Sequence, residues 1–367
     1  RSIWSGPVAR REREIVTVTD RLAEKPATGE SVLHDKLRGC LLAGAIGNAM
    51  GSPVESFHYE QIEAKYPGGV RTILDPSRLE SEDDNQMAAL LTETFIAREG
   101  RPAMARHFGR TWNDRLNRDE YYVQCMAHAC DLIRAGWDAR ITGHWTQVTG
   151  STVMCMEPVG LFHALDPEFA AIDATAISYM YQRGLDIIAA AMLAVVVAEA
   201  FRPGATVDGL CAKALEICPT TPLRTFDKRP FKSARDYLET CLEIAGRHRD
   251  VFAVREELYS RCLFHHPIEP LEVWGLSLAI FKVAEGDVRQ AYIGGTNIGR
   301  DSDTIAGRAA MLSGLMRGSA SVPPEWVTLF SATSLARIDR NAARLTELVA
   351  EKKLARMRRR AEATAAP

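Results

Sequence analysis

The 367-residue chain is poor in the features that assign a protein quickly. Its eight cysteines, at 40, 125, 130, 155, 211, 218, 241 and 262, form no CxxC pair. That excludes a zinc ribbon and a thioredoxin-type motif. Most sit among apolar helical neighbours, where a free cysteine acts as a small hydrophobe, and this usage suits a reducing cytoplasm. Charge of one sign is missing too: the net charge of −2 gives no global basic field for nucleic acid. The longest apolar run, Ile187 to Ala198, is too short for a bilayer, which takes about 18 such residues. It predicts a buried central helix, and no membrane partner is expected. The first thirty residues hold no signal-peptide core, so residues 1–33 are expected to form a flexible extension. There is no G-x-S-x-G elbow, no Ser/His/Asp order and no convincing alternating strand.

What is present is helical spacing. Apolar residues make up 46% and charged residues 25%, a normal balance for a globular chain. In "NQMAALLTETFIARE" Met87, Leu90, Leu91, Thr94 and Phe95 share one helix face. "YYVQCMAHACDLIRAG", "EVWGLSLAIFKVAEG" and "DTIAGRAAMLSGLMRG" read the same way. The pattern predicts an all-α domain over 34–333 of roughly a dozen helices, followed at 334–367 by an amphipathic helix and a basic tail read as a solvated helix end. In "HDKLRGCLLAGAIGNAMGSPVE", Gly39, Ala43, Gly47 and Gly51 line one face with almost no side chain. A helical glycine costs about 1 kcal/mol against alanine, so a closely approaching helix or ligand is expected there.

Two acidic stretches open helices. "SEDDNQMAALLTE" sets Glu82, Asp83 and Asp84 side by side; "GGTNIGRDSDTIAGRA" sets Asp301 and Asp303 beside Thr304. Two readings stand open. Ser81, and Asp301 or Ser302, would cap the helices, with acids suiting the positive end of the dipole. Alternatively the carboxylates and the threonine hydroxyl are hard oxygen ligands for Mg²⁺, Mn²⁺ or Ca²⁺. No His/Cys set with zinc spacing competes.

Four segments resemble, in order, those of the ADP-ribosylglycohydrolases: "GCLLAGAIGNAMGSPVE", "EDDNQMAALL", "STVMCMEPVGL" and "GRDSDTIAGRAAMLSG". The resemblance implies an all-α orthogonal multi-helix bundle holding two Mg²⁺ or Mn²⁺ ions in a central cleft. By position it implies Glu82, Asp83, Asp84, Asp301, Asp303 and Thr304 as metal ligands, with Glu82 standing where the family has threonine. Glu55 matches a glutamate beside the metals. Asp84 or Glu55 is then the proton acceptor for water attacking ribosyl C1. Asn48, Gly150, Ser151, Thr152, Glu157, Gly299 and Ser302 are the expected substrate contacts.

The chain departs from the family pattern in a consistent way. Asn48 replaces aspartate and Asn85 replaces threonine. Gly150 stands for asparagine and Cys155 for arginine. Tyr181 and Gln182 stand roughly where a Thr-His pair is usual, and Glu157 is new. The metal acids remain while groups outside them change, so the expected substrate is an ADP-ribosyl compound or a related small N-riboside, NAD-derived ones among them, and a protein-linked ADP-ribosyl group is disfavoured. The competing expectations are a non-catalytic ligand-binding or structural relative, and a biosynthetic enzyme using the site for transfer or elimination. Trp112 and the Tyr121–Tyr122 pair are candidates for stacking on a base, with core packing as the default. His144 and Trp145 fit a pocket-lining loop, and His265 and His266 a surface loop.

Overall fold

The computed structural model describes residues 8–25, 30–117, 124–221 and 231–365. Among these residues the fold is all-α, as expected; β structure is confined to isolated bridge residues, with His58 paired to Gly299. Helices outnumber the expected dozen because several are single turns, such as Arg78–Ser81 and Pro324–Val327.

The fold is organised around the glycine face of the opening helix, Val32–Gly51, which starts where Ser31 accepts the His34 N–H. Against it lies the second acidic helix, Ser302–Arg317. A Cβ on Gly39 would stand 2.5 Å from the Gly314 carbonyl oxygen, and one on Gly47 2.5 Å from that of Ala306. A Cβ on Gly51 would collide with the Ser302 carbonyl. The two helices therefore touch backbone to backbone, and this contact is the return for the glycine cost. Helix Val288–Asn297 joins the same stack, with Gly295 against Ala306.

The apolar run forms the helix Leu185–Glu199, buried along nearly its whole length. No helix among the described residues is long and apolar enough to cross a membrane. All eight cysteines are free and buried. Trp112 packs inside against Phe108 and Tyr181, whereas Tyr121 and Tyr122 lie outside the described residues.

The ends of the chain differ from expectation. Val8–Ala23, expected to be flexible, is a helix packed against Ala355–Ala365 and paired through Arg358 and Asp20. Val18 and Leu22, one turn apart and buried, give this charged segment a narrow apolar stripe too short to stand out in the sequence. The predicted C-terminal helix runs over Ala332–Leu348, then widens into a π-helical stretch, Val349–Leu354. There Lys353 binds His163 at 2.8 Å and Asp166 at 2.6 Å.

Candidate metal centre

The helix starts bear on the two readings of the acids. Glu82, not Ser81, is the N-cap residue of helix Asp83–Ala97, and its side chain makes no capping bond. Ser81 closes the preceding turn and donates to Ser77 O. Asp301 is the N-cap residue of Ser302–Arg317, again without a side-chain cap bond. The acids are at helix starts but are not spent there.

They converge instead. One carboxylate oxygen each from Glu55, Asp301 and Asp303 lies within 4.8 Å of the others. Asp303 bears electrostatically on Glu55, Glu82, Asp83 and Asp84 alike, so the two stretches, over two hundred residues apart in sequence, share one hollow. Mutual repulsion and burial act on the protons. Burial first, then Asp303 and Glu82, lifts the Asp83 carboxyl to about 6. Burial first, then Asp303, pushes Asp84 and Asp301 well above the usual carboxylate range. Glu55 is exposed at the rim, yet its carboxyl is raised to about 8, by the Asp303 charge first and burial second.

The donor set fits a hard divalent cation. Asn48 Oδ1, Asp84 Oδ2 and Asp303 Oδ1 are buried without a hydrogen-bond partner. An orphaned buried oxygen costs roughly 1–3 kcal/mol, more if charged. Oxygen-only donors of this kind suit Mg²⁺ or Mn²⁺ better than zinc. Thr304 is buried beside Asp303. Glu82 is less free than expected: its Oε1 takes Ser52 Oγ at 2.8 Å and Arg78 at 2.9 Å.

The expected substrate contacts separate. Gly150 faces the acids; a Cβ there would stand 3.6 Å from Asp301 Oδ2. Asn48 donates Nδ2–H to Asp303 Oδ2 at 3.3 Å. The others are spent internally. Thr152 and Val153 donate their N–H groups to buried Asp186 at 2.8 and 3.2 Å, and Ser151 is held by Gln182 and Cys125. Ser302 donates to Gly51 O at 2.9 Å. Gly299, at φ 69, abuts the Phe57 carbonyl. Glu157, expected to face substrate, is buried and paired with buried Arg308 at 2.5 Å. Its carboxylate is taken up by that pair. His265 and His266 are exposed, as is Trp145, which meets Trp137 edge-on.

Sequence reasoning missed Arg308, Asp186, and the pair Arg300–Glu272. Arg308 and Glu272 each carry a signal: a lone charge inside an otherwise apolar helix, "TIAGRAAML" and "PLEVWGLSL".

Comparison with known proteins bears on the family and the fold. The ADP-ribosylglycohydrolase family profile matches residues 29–361. The uncharacterized protein YegU of Escherichia coli (strain K12) is 24% identical over 335 residues, which is 85% of this chain and 97% of that protein. A solved structure described as an ADP-ribosylglycohydrolase-related protein complex is similar with a TM-score of 0.63 at 20% identity, over 86% of this chain and 99% of its own. At that identity the likeness speaks for the fold.

Proposed function

Because this chain belongs to the ADP-ribosylglycohydrolase family, we propose that it is a metal-dependent hydrolase that cleaves the bond between ribosyl C1 and its leaving group in a small, NAD-derived N-riboside. The observation that carries the reading is the convergence of Glu55, Asp301 and Asp303 oxygens beside buried, unpartnered oxygens of Asn48, Asp84 and Asp303. Asp83, Asp84, Asp301, Asp303 and Thr304 would hold Mg²⁺ or Mn²⁺, two ions in this reading, with Glu82 at the edge. A bound divalent ion supplies a Lewis acid that makes a nearby water more acidic.

The chain's own residues supply the rest. Glu55 is the general base: its carboxylate converges with those of Asp301 and Asp303 while the residue stays exposed to solvent water. Asp84 is the second candidate, but at 2% exposure it is better placed to hold charge than to exchange protons with solvent. The surrounding carboxylates stabilise the positive charge of an oxocarbenium-like transition state. Cys155, where the family has arginine, is buried against Tyr181 Oη at 3.1 Å, so position 155 itself offers no cation to a diphosphate, and nearby Arg308 is already paired with Glu157. That favours a small substrate.

The test is turnover on a panel of ADP-ribosyl compounds, NAD-derived ribosides and simple nucleosides, before and after exhaustive chelation. Release of a free base from a small riboside, its loss on chelation and its return with Mn²⁺ or Mg²⁺ are expected. Full turnover with metal absence verified would refute the metal role.

A further inference from the structure

Backbone strain brackets the acid cluster. Three residues with positive φ flank its ligands: Ser56 (65°) directly follows Glu55, and Gly299 (69°) and Arg300 (62°) directly precede Asp301. For serine and arginine this conformation is uncommon and persists only where the surroundings impose it.

The surroundings do so in two ways. The two turns are stitched together: Ser56 N–H donates to Arg300 O at 2.6 Å, and Arg300 N–H donates to Phe57 O at 2.9 Å. Tyr259 braces both, donating to Ile298 O at 2.5 Å and accepting Tyr59 N–H at 3.2 Å. The Arg300 side chain then anchors the stitched pair to helix Pro270–Val283. Its Nε reaches Glu272 Oε1 at 2.5 Å, and one Nη reaches Oε2 at 3.0 Å and Phe264 O at 2.8 Å. Glu272 is completely buried and also accepts the Phe264 N–H. A two-pronged guanidinium–carboxylate pair fixes direction as well as distance, which a lysine ammonium does not.

We infer that Arg300, held by Glu272, is a positioning residue for the cation site: it locks the two strained turns in register so that Glu55 and Asp301 face each other, and thereby sets how tightly a divalent ion is held. The inference rests on the reading of the acid cluster as a cation site. It also accounts for a large charged residue at a backbone position that glycine would adopt at no cost.

The test is Mn²⁺ binding, followed by the loss of the free-ion electron paramagnetic resonance signal and by the spectrum of the bound ion, with far-ultraviolet circular dichroism to verify folding. Arg300→Gly relieves the backbone but cuts the anchor; combining it with Glu272→Gln avoids leaving a buried charge unpaired. The double variant should fold, bind Mn²⁺ at least tenfold more weakly, and give a broadened bound-ion spectrum. Arg300→Lys should not restore affinity. Should the double variant fail to fold, Glu272→Gln alone serves, with a loss of at least threefold expected. Lys353→Met, which cuts a remote ion pair, should lower stability and leave Mn²⁺ affinity unchanged. A folded double variant, or a folded Glu272→Gln protein, that binds Mn²⁺ as the parent does overturns the inference while the cation site stands. A parent protein that binds no Mn²⁺ removes the site itself and the inference with it.

Discussion

Asp83→Asn is expected to make the metal-free protein more stable and the metal-loaded protein less so. In the metal-free fold, burial and neighbouring acids lift the Asp83 carboxyl from its ordinary 3.8 to about 6. A folded-state value above the unfolded one means stability that is complete below about 3.8 and lost as pH rises through about 6. The loss corresponds to about 3 kcal/mol once the group is ionised in both states. Asparagine keeps the shape and drops the charge. In chelator the variant should therefore match the parent below about pH 3.5, gain between about pH 4 and pH 6, and level off above pH 7 at about 1–3 kcal/mol, or about 1–4 °C in a domain of this size. With Mn²⁺ at a thousandfold excess over its dissociation constant, the parent gains about 4.1 kcal/mol that the variant forfeits, so the order reverses. Thermal and urea denaturation at several pH values, with chelator or with Mn²⁺, read both effects. A variant that is less stable than the parent in chelator at pH 7.5, or an advantage independent of pH, would refute the reasoning.

Two further predictions concern the scaffold. Arg308→Met strands the Glu157 carboxylate in the interior and should cost about 3–5 kcal/mol in urea denaturation; adding Glu157→Gln should recover most of it, since the pair itself contributes little net stability. Gly47→Ala improves helix propensity by about 1 kcal/mol but drives a methyl into the Ala306 backbone; a net loss of about 1–3 kcal/mol is expected, and an unchanged urea midpoint would mean that the two helices can separate without penalty.

What could be read from the sequence was what depends on local pattern. The helical periods, the buried run at 187–198 and the small-residue face of the opening helix all have local causes, and each appears where expected. The juxtaposition of Asp83 and Asp84 with Asp303 was approached through motif order, because nothing local links them. Glu157, Thr152 and Ser302 show why substrate contacts are hard to read from neighbours in sequence: a polar side chain faces whatever the tertiary packing sets before it. Here that is Arg308, Asp186 and the Gly51 carbonyl. Arg300 was passed over because a variable position between a glycine and an aspartate carries no period, and its partner Glu272 lies 28 residues earlier in another helix.

The backbone contact of Gly47 with Ala306 also has a consequence in time. It closes a loop of about 250 residues, and the hollow does not exist until that loop is closed. At about 5–20 residues per second, synthesis of the intervening chain takes from about 12 to 50 seconds. Throughout that interval the nascent polypeptide carries Asp83 and Asp84 without Asp301 and Asp303, and so offers a passing ion only half a nest. Capture of the cation is thus an event of the finished chain, and a ribosome stalled before residue 300 would leave a product that no added Mn²⁺ could stabilise.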